Sequence, residues 1–264
     1  MEFAVSALFV PEIVIANPER NRKALESTIR SCYETNKDIH IDLAVGPELS
    51  ICEYQLSEEA EHFEKIRGFA ERIPEGETSQ LLMKLSKEYE THLVAGIPEI
   101  DKNGVYYNSA VITGPKGEHI GTCRQGRESW RFHFWATGYA DEGQRNVFEI
   151  RSKKYGIIIC AEILVDEVMS PTSELSDVVL VPASWYIEER LFEDNIKETA
   201  RDYRVPLVIG NRGLGFYDGT EHRIYKKSLE GKYNEGELVK GRAAIVLPGK
   251  EPTIKERNIF FVER

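Results

Sequence analysis

The chain has 264 residues, of which 41% are hydrophobic and 30% are charged, and its net charge is -10. An acidic balance of this size argues against nucleic acid and against an anionic membrane surface as partners. No apolar run approaches the roughly 18 residues that a membrane span requires, so we expect no membrane partner. The four cysteines are widely separated, without metal-ligand spacing. We therefore expect no metal, no other cofactor, no disulfide framework and a reducing, cytoplasmic location.

The N-terminal part of the chain alternates strands with helices. The apolar residues 2–10 are typical of a first strand. They are not typical of a signal peptide, because no basic segment precedes them. An N-cap and a proline at 17–18 predict a helix that runs to residue 34, with Cys32 on its buried face. Residues 41–45 predict a short strand that Pro47 ends, which places Glu48 just beyond its carboxyl end. The next predicted elements are helices at 58–71 and 77–90 and strands at 92–97, 106–113 and 118–123.

Residues 124–144 follow no periodic pattern and are rich in aromatic residues. A loop of this length inside a compact domain is more often functional than idle. It could serve as a lid over a substrate or as a plug in a disused pocket, and its composition does not separate the two.

The second half of the chain is built around Cys160. The apolar residues 156–159 precede it and predict a buried strand over 155–160 that ends at the thiol. A thiol at a strand end is placed for chemistry, although a small residue that closes a core strand has the same pattern. The other predicted elements are helices at 165–175 and 187–203 and strands at 146–150, 177–181, 206–210, 223–227, 242–247 and 259–262. This alternation predicts an α/β fold with mixed sheets in a single domain, residues 1–264.

Several segments, taken in order, resemble those of the nitrilase superfamily of carbon–nitrogen hydrolases. Residues 43–49 resemble the segment that carries the family's general-base glutamate. Residues 107–121 resemble the hairpin that leads into its lysine motif, and residues 156–162 resemble the turn of its nucleophile, with an acid two places after the cysteine. The downstream strand ends at 181–184 and 211–215 are similar as well. The resemblance covers essentially the whole chain and implies an α-β-β-α sandwich that acts on a small molecule as a homodimer or higher homo-oligomer.

The resemblance also implies roles for three positions. Cys160 would attack a carbonyl or nitrile carbon, and Glu48 would take the thiol proton. Gln125 stands where the family has its catalytic lysine. Because a glutamine donates hydrogen bonds but carries no charge, we expect a raised pKa for Cys160 beside Glu48. The loss of one oxyanion donor costs on the order of 10²–10³ in rate.

Further residues are expected around this pair. The backbone N–H of Ala161 follows the nucleophile and could donate to an oxyanion, and Glu128 lies near the position of an assisting glutamate in the family. Arg127, in the same loop, could restore the missing positive charge, whereas Arg124 should point to the opposite face of an extended segment. Trp185, just past a strand end, is expected to line the same cavity.

The resulting hypothesis is a cysteine-dependent hydrolase of a small amide, nitrile or carbamoyl compound with a Glu48-Gln125-Cys160 site. One alternative is a catalytically silent homologue that binds a small molecule or a protein. A second alternative is a thiol enzyme with different chemistry, such as acyl transfer. The missing lysine motivates both alternatives.

Overall fold

The computed structural model describes residues 3–14, 17–52, 60–126, 135–140, 146–185, 189–215, 225–227, 233–235, 243–246, 253–255 and 259–263. Its strands are β1 (Phe3–Ala7), β2 (Phe9–Val14), β3 (Leu43–Val45), β4 (His92–Ile100), β5 (Tyr106–Thr113), β6 (His119–Arg124), β7 (Val147–Ile150), β8 (Lys153–Ile157), β9 (Val178–Pro182), β10 (Leu207–Gly215), β11 (Tyr225–Lys227), β12 (Tyr233–Glu235), β13 (Ala243–Val246), β14 (Thr253–Lys255) and β15 (Ile259–Glu263). Its α-helices are α1 (Pro18–Thr35), α2 (Ala60–Gly68), α3 (Glu77–Glu88), α4 (Asp166–Leu175) and α5 (Glu189–Asp202), and a 3-10 helix covers Cys160–Leu164. No helix among these ranges is both long enough and apolar enough to cross a membrane.

Two mixed sheets form the centre of the fold. The first has the strand order β15-β1-β3-β4-β5-β6, in which β1, β3 and β4 are parallel and β5 and β6 are antiparallel to their neighbours. The second has the order β14-β13-β10-β9-β8-β7, in which β8, β9 and β10 are parallel. β2 pairs with the C-terminal half of β10. The carboxyl ends of several parallel strands therefore meet at one edge of each sheet.

Three apolar layers hold the sheets and helices together, as alternation along each strand requires. Alternate residues of both sheets fill the space between them, for example Val45 and Val94 of the first sheet and Leu180 of the second. The opposite face of the first sheet is covered by α1 and α3, and that of the second by α4 and α5. Cys32 is buried in the helical layer of the first sheet, as expected. This arrangement confirms the α-β-β-α sandwich.

Several strand predictions are wrong in their extent: β10 runs five residues beyond the expected end at 210, and β12 and β14 were not expected. Two of the differences bear on the site. The expected strand over 2–10 is two strands, because the chain leaves the first sheet at Leu8, whose N–H donates to the carbonyl of Val45, and then joins the second sheet. The strand expected to reach Cys160 ends at Ile157. Cys160 begins the 3-10 helix and has a φ of 50°. A residue in a β-strand has a negative φ, so Cys160 cannot belong to the strand.

Candidate active site

Glu48 lies on the turn that follows β3, and it is completely buried. Its backbone N–H donates to the carbonyl of Ala183 at 3.1 Å, which ties this turn to the end of β9 in the other sheet. The turn also packs against Gly96 of β4, where a β-carbon would lie 2.6 Å from the Cα of Glu48. A glycine is therefore required at that place for Glu48 to reach its position. The strand ends of both sheets thus fix the carboxylate.

Cys160 faces this carboxylate from the second sheet. Its φ of 50° makes it a strained, left-handed turn residue between β8 and the 3-10 helix, and its side chain is buried. The Glu48 carboxylate lies close enough to act on the thiol, since it is one of the groups that raise the pKa of Cys160. The backbone of Ser184 and the side chain of Trp185, just after β9, also contact the sulfur. Because the indole N–H can only donate, Trp185 supplies a donor to the thiol.

These surroundings set the protonation state of the thiol. Burial is the largest cause that raises the pKa of Cys160 well above its usual value, and the charge of Glu48 raises it further. The hydrogen bonds from Ser184 and Trp185 act in the opposite direction but do not compensate. Cys160 is therefore a neutral thiol at neutral pH, with a proton acceptor beside it.

Gln125 and Asn108 complete a chain of hydrogen bonds behind the pair. Asn108 Nδ2 donates to Glu48 Oε1 at 2.7 Å and to Gln125 Oε1 at 3.3 Å. Gln125 Nε2 donates to the carbonyl of Ile159, the residue before Cys160, at 3.0 Å. All of these groups are buried. Because the Ile159 carbonyl can only accept, it fixes which end of each amide faces which partner.

Asn108 is a site residue that the sequence reasoning missed. It lies on the face of β5 that Ala110 and Ile112 bury between the two sheets. The sequence signal for Asn108 was that it lies two residues before Ala110 and four before Ile112, and so on the same buried face of the strand. The pattern alone could not separate it from an asparagine that faces solvent at a strand end.

The other predicted residues are placed as follows. Ala161 is the second residue of the 3-10 helix, a position whose N–H has no acceptor within the helix. Trp185 lies beside Cys160, held by two hydrogen bonds between its backbone and the side chain of Asn211. Arg127 and Glu128 lie outside the described residues.

Arg124 points away from the site. This is expected, because Arg124 and Gln125 are adjacent in an extended segment and so point to opposite faces. Its guanidinium makes a paired hydrogen bond with the buried carboxylate of Glu99, with one N–O distance of 2.9 Å. It also stacks over the ring of Tyr107, 3.7 Å from the ring centre. This cation stabilises the helix-side face of the first sheet and does not serve the thiol.

The described part of the aromatic loop is packed rather than open. Trp135 is buried against the turn after Glu48 and against α2, together with Leu49, Cys52 and Ile66. The N–H of Ala140 donates to the carbonyl of Gln125 at 3.0 Å. Residues 135–140 therefore support the turn of Glu48 and the strand end of Gln125, while residues 127–134 and 141–145 lie outside the described ranges.

Comparisons with known proteins identify the family of the chain. The family model described as carbon–nitrogen hydrolase matches residues 8–225. A nitrilase from Pyrococcus abyssi is 34% identical over 172 residues, which cover 64% of this chain and 61% of that protein. A 2-oxoglutaramate amidase from Bacillus subtilis is 25% identical over 189 residues, which cover 70% of this chain and 66% of that protein. The matches thus span less than two thirds of the length of either relative.

A solved structure gives the same result for the fold. Nit3 of Saccharomyces cerevisiae, a member of branch 10 of the nitrilase superfamily, superposes with a TM-score of 0.72 at 18% identity. The superposition covers 99% of this chain and 89% of that one. At this level of identity the likeness shows a shared fold. Since the family model matches well over half of the chain, the protein belongs to the carbon–nitrogen hydrolase family, the nitrilase superfamily that its motifs resemble.

Proposed function

We propose that this protein is a cysteine-dependent hydrolase that cleaves a carbon–nitrogen bond of a small amide, nitrile or carbamoyl compound. The observation that carries the proposal is the contact between the buried Cys160 thiol and the buried Glu48 carboxylate. A thiol with a raised pKa needs a base beside it when it attacks, and Glu48 is the carboxylate that acts on this thiol.

The steps for an amide substrate balance as follows. The thiol proton of Cys160 moves to Glu48 while the sulfur attacks the carbonyl carbon, and the carbonyl oxygen becomes an oxyanion. The oxyanion collapses, the carbon–nitrogen bond breaks, and the leaving amine takes the proton from Glu48. A water then gives a proton to Glu48 and adds its hydroxide to the thioester. The carboxylic acid leaves, and the proton on Glu48 returns to the sulfur.

Neutral donors would stabilise the oxyanion. The N–H of Ala161 follows the nucleophile, and Gln125 Nε2 keeps one hydrogen beyond the one it gives to Ile159. We propose that Arg127 and Glu128 face the substrate from the adjoining loop. Replacing Arg127 by Ala is expected to raise KM or lower kcat, whereas unchanged kinetics would remove it from the site.

The experiment is covalent trapping followed by intact-mass measurement. Wild-type protein is mixed with a panel of amides, nitriles and carbamoyl compounds, and an acyl adduct is sought at steady state. The adduct and any turnover should vanish in Cys160→Ala and persist in Cys32→Ala, a buried thiol in the helical layer. A panel that yields neither adduct nor turnover counts against the proposal, and so does turnover that survives Cys160→Ala.

A catalytically silent binding protein is the second candidate, and one observation favours it. The Gln125 amide is hydrogen-bonded at both ends, to Asn108 and to Ile159, so it is held as part of the scaffold. Gln125→Lys separates the candidates. Activity that appears only in this variant indicates a disabled hydrolase that still binds small molecules. Loss of an activity present in the wild type indicates that the glutamine serves the reaction.

We propose in addition a cytoplasmic location and a homodimer. All four cysteines are free, which fits a reducing compartment. Leu164 and Leu175 are exposed on the helical layer of the second sheet, where apolar side chains favour association. Sedimentation equilibrium should give twice the chain mass of 30.2 kDa, and a monomer at all concentrations would contradict the dimer.

A further inference from the structure

Glu162 joins the two segments that carry Cys160 and Gln125. It is the third residue of the 3-10 helix, and its side chain is 97% buried, since the residue is 3% exposed. Its Oε2 accepts the N–H of Ile159 at 2.6 Å, and its Oε1 accepts the N–H of Gly126 at 2.6 Å. Both contacts lie in the short range of charge-assisted hydrogen bonds. One carboxylate therefore holds a backbone group on each side of the site.

These two N–H groups belong to residues that are adjacent in sequence to Cys160 and Gln125. Ile159 precedes Cys160, whose φ of 50° is unfavourable for a residue with a side chain. Gly126 follows Gln125, which is the first residue after the carboxyl end of β6. Such a turn persists only where its surroundings over-determine it. The two hydrogen bonds to Glu162 supply that constraint.

We infer that Glu162 is a positioning residue that fixes Cys160 relative to the amide of Gln125. The inference rests on the proposed function, in which Cys160 is the nucleophile and Gln125 lies beside it. Glu162 acts through the backbone and touches no substrate. Its hydrogen bond to Ile159 alone would also be made by a residue that only caps the 3-10 helix. The hydrogen bond to Gly126 is not needed for capping, so it separates the two roles.

The test compares Glu162→Gln with Glu167→Gln, an exposed acid in the first turn of α4. In Glu162→Gln one carboxylate oxygen becomes an NH₂ group, which cannot accept, and the other oxygen loses its charge, so both hydrogen bonds weaken. Single-residue hydrogen exchange should accelerate by about tenfold or more at Gly126 and Ile159, relative to the other amides of the sheet. Acceleration at Ile159 alone would show a helix cap and overturn the inference, and so would no acceleration in either segment.

A second measurement follows the thiol without requiring turnover. The rate at which iodoacetamide alkylates Cys160 should rise about tenfold in Glu162→Gln, with its pH profile moved to lower pH. The reason is that a relaxed turn loosens the burial of the thiol and its contact with Glu48, the two largest causes of its raised pKa. An unchanged rate and profile would overturn the inference. If the wild type hydrolyses a substrate, kcat should fall with little change in KM.

The design separates failure of the inference from failure of the proposed function. Hydrogen exchange and alkylation can be read in a protein that hydrolyses nothing, so a silent wild type refutes only the function. If Glu162→Gln does not fold, Glu162→Asp replaces it. A side chain one carbon shorter keeps the local bond to Ile159 and loses the reach to Gly126. Acceleration of exchange confined to the Gly126 segment, with faster alkylation, supports the inference, and wild-type behaviour overturns it.

Discussion

The contact between Asn108 and Glu48 permits a quantitative prediction. Both side chains are buried, and Asn108 Nδ2 lies 2.7 Å from Glu48 Oε1. Asn108→Asp replaces the amide by a carboxyl of nearly the same shape. Two carboxylates at this distance in a buried site cannot both ionise, so the pair should share one proton. The pKa of the introduced carboxyl is then raised in the folded state.

The sign and size of the effect follow from linkage. Below the unfolded pKa of about 3.9 the introduced carboxyl is protonated in both states, and the neutral acid can donate to Glu48 in place of the amide. Above that pH only the unfolded chain releases the proton. The variant should therefore lose about 1.4 kcal/mol of stability per pH unit until the folded pKa is reached. If that value stays above 7, the loss at pH 7 is about 4 kcal/mol.

The assay is urea unfolding of the variant and the wild type at several values between pH 4 and pH 8. Asn103→Asp is the matched control, because Asn103 Nδ2 also lies next to a carboxylate, 3.3 Å from Asp101 Oδ2, but on an exposed turn. Its stability difference from the wild type should change little with pH, since water screens exposed charges. A difference for Asn108→Asp that does not grow with pH would refute the reasoning.

Three further predictions test other parts of the structure. Gly96→Ala should displace the turn of Glu48 and cost about 1–3 kcal/mol, whereas Gly68→Ala, where a β-carbon meets nothing within 4 Å, should be neutral or stabilising in urea unfolding. Glu48→Gln should lower the pKa of Cys160 and so speed its alkylation at pH 8, while it abolishes the proposed hydrolysis. Slower alkylation would contradict the conclusion that the charge of Glu48 raises the pKa of the thiol. Arg124→Ala should destabilise the fold by about 2–3 kcal/mol, because it leaves a buried carboxylate unpaired. It should leave the alkylation rate unchanged, and a changed rate would contradict its separation from the site.

Glu48 and Cys160 could be located from the sequence near the ends of apolar strands, but only the resemblance to the family assigns them roles in a reaction. Pro47 ends the strand before Glu48, and the apolar run before Cys160 predicts a core strand, which ends at Ile157. The opposite directions of Arg124 and Gln125 followed from strand alternation alone. Strand alternation needs only local geometry, and the structure places Arg124 and Gln125 as it requires, whereas the conformation of Cys160 differs from the expected strand.

The remaining features depend on partners that are distant in sequence. Nothing in residues 2–10 marks the change of sheet at Leu8, because the apolar pattern continues across it. Asn108 gains its role only from Glu48, which lies 60 residues earlier. Glu162 likewise depends on Gly126, from a strand end of the other sheet. For Asn108 and Glu162, a single sequence shows that the residue is polar but not which group its side chain contacts.

The chain of amides also determines the resting state of the site. The Ile159 carbonyl requires the nitrogen of Gln125, so Gln125 presents its oxygen to Asn108, and Asn108 must then present its nitrogen to both neighbours. Glu48 consequently has to accept at Oε1, which a carboxyl can do whether it is ionised or protonated. The first step of the proposed hydrolysis needs this carboxyl ionised beside the neutral thiol. A lysine at position 125 would place a donor where Asn108 now finds an acceptor, so Gln125→Lys requires Asn108 to turn as well.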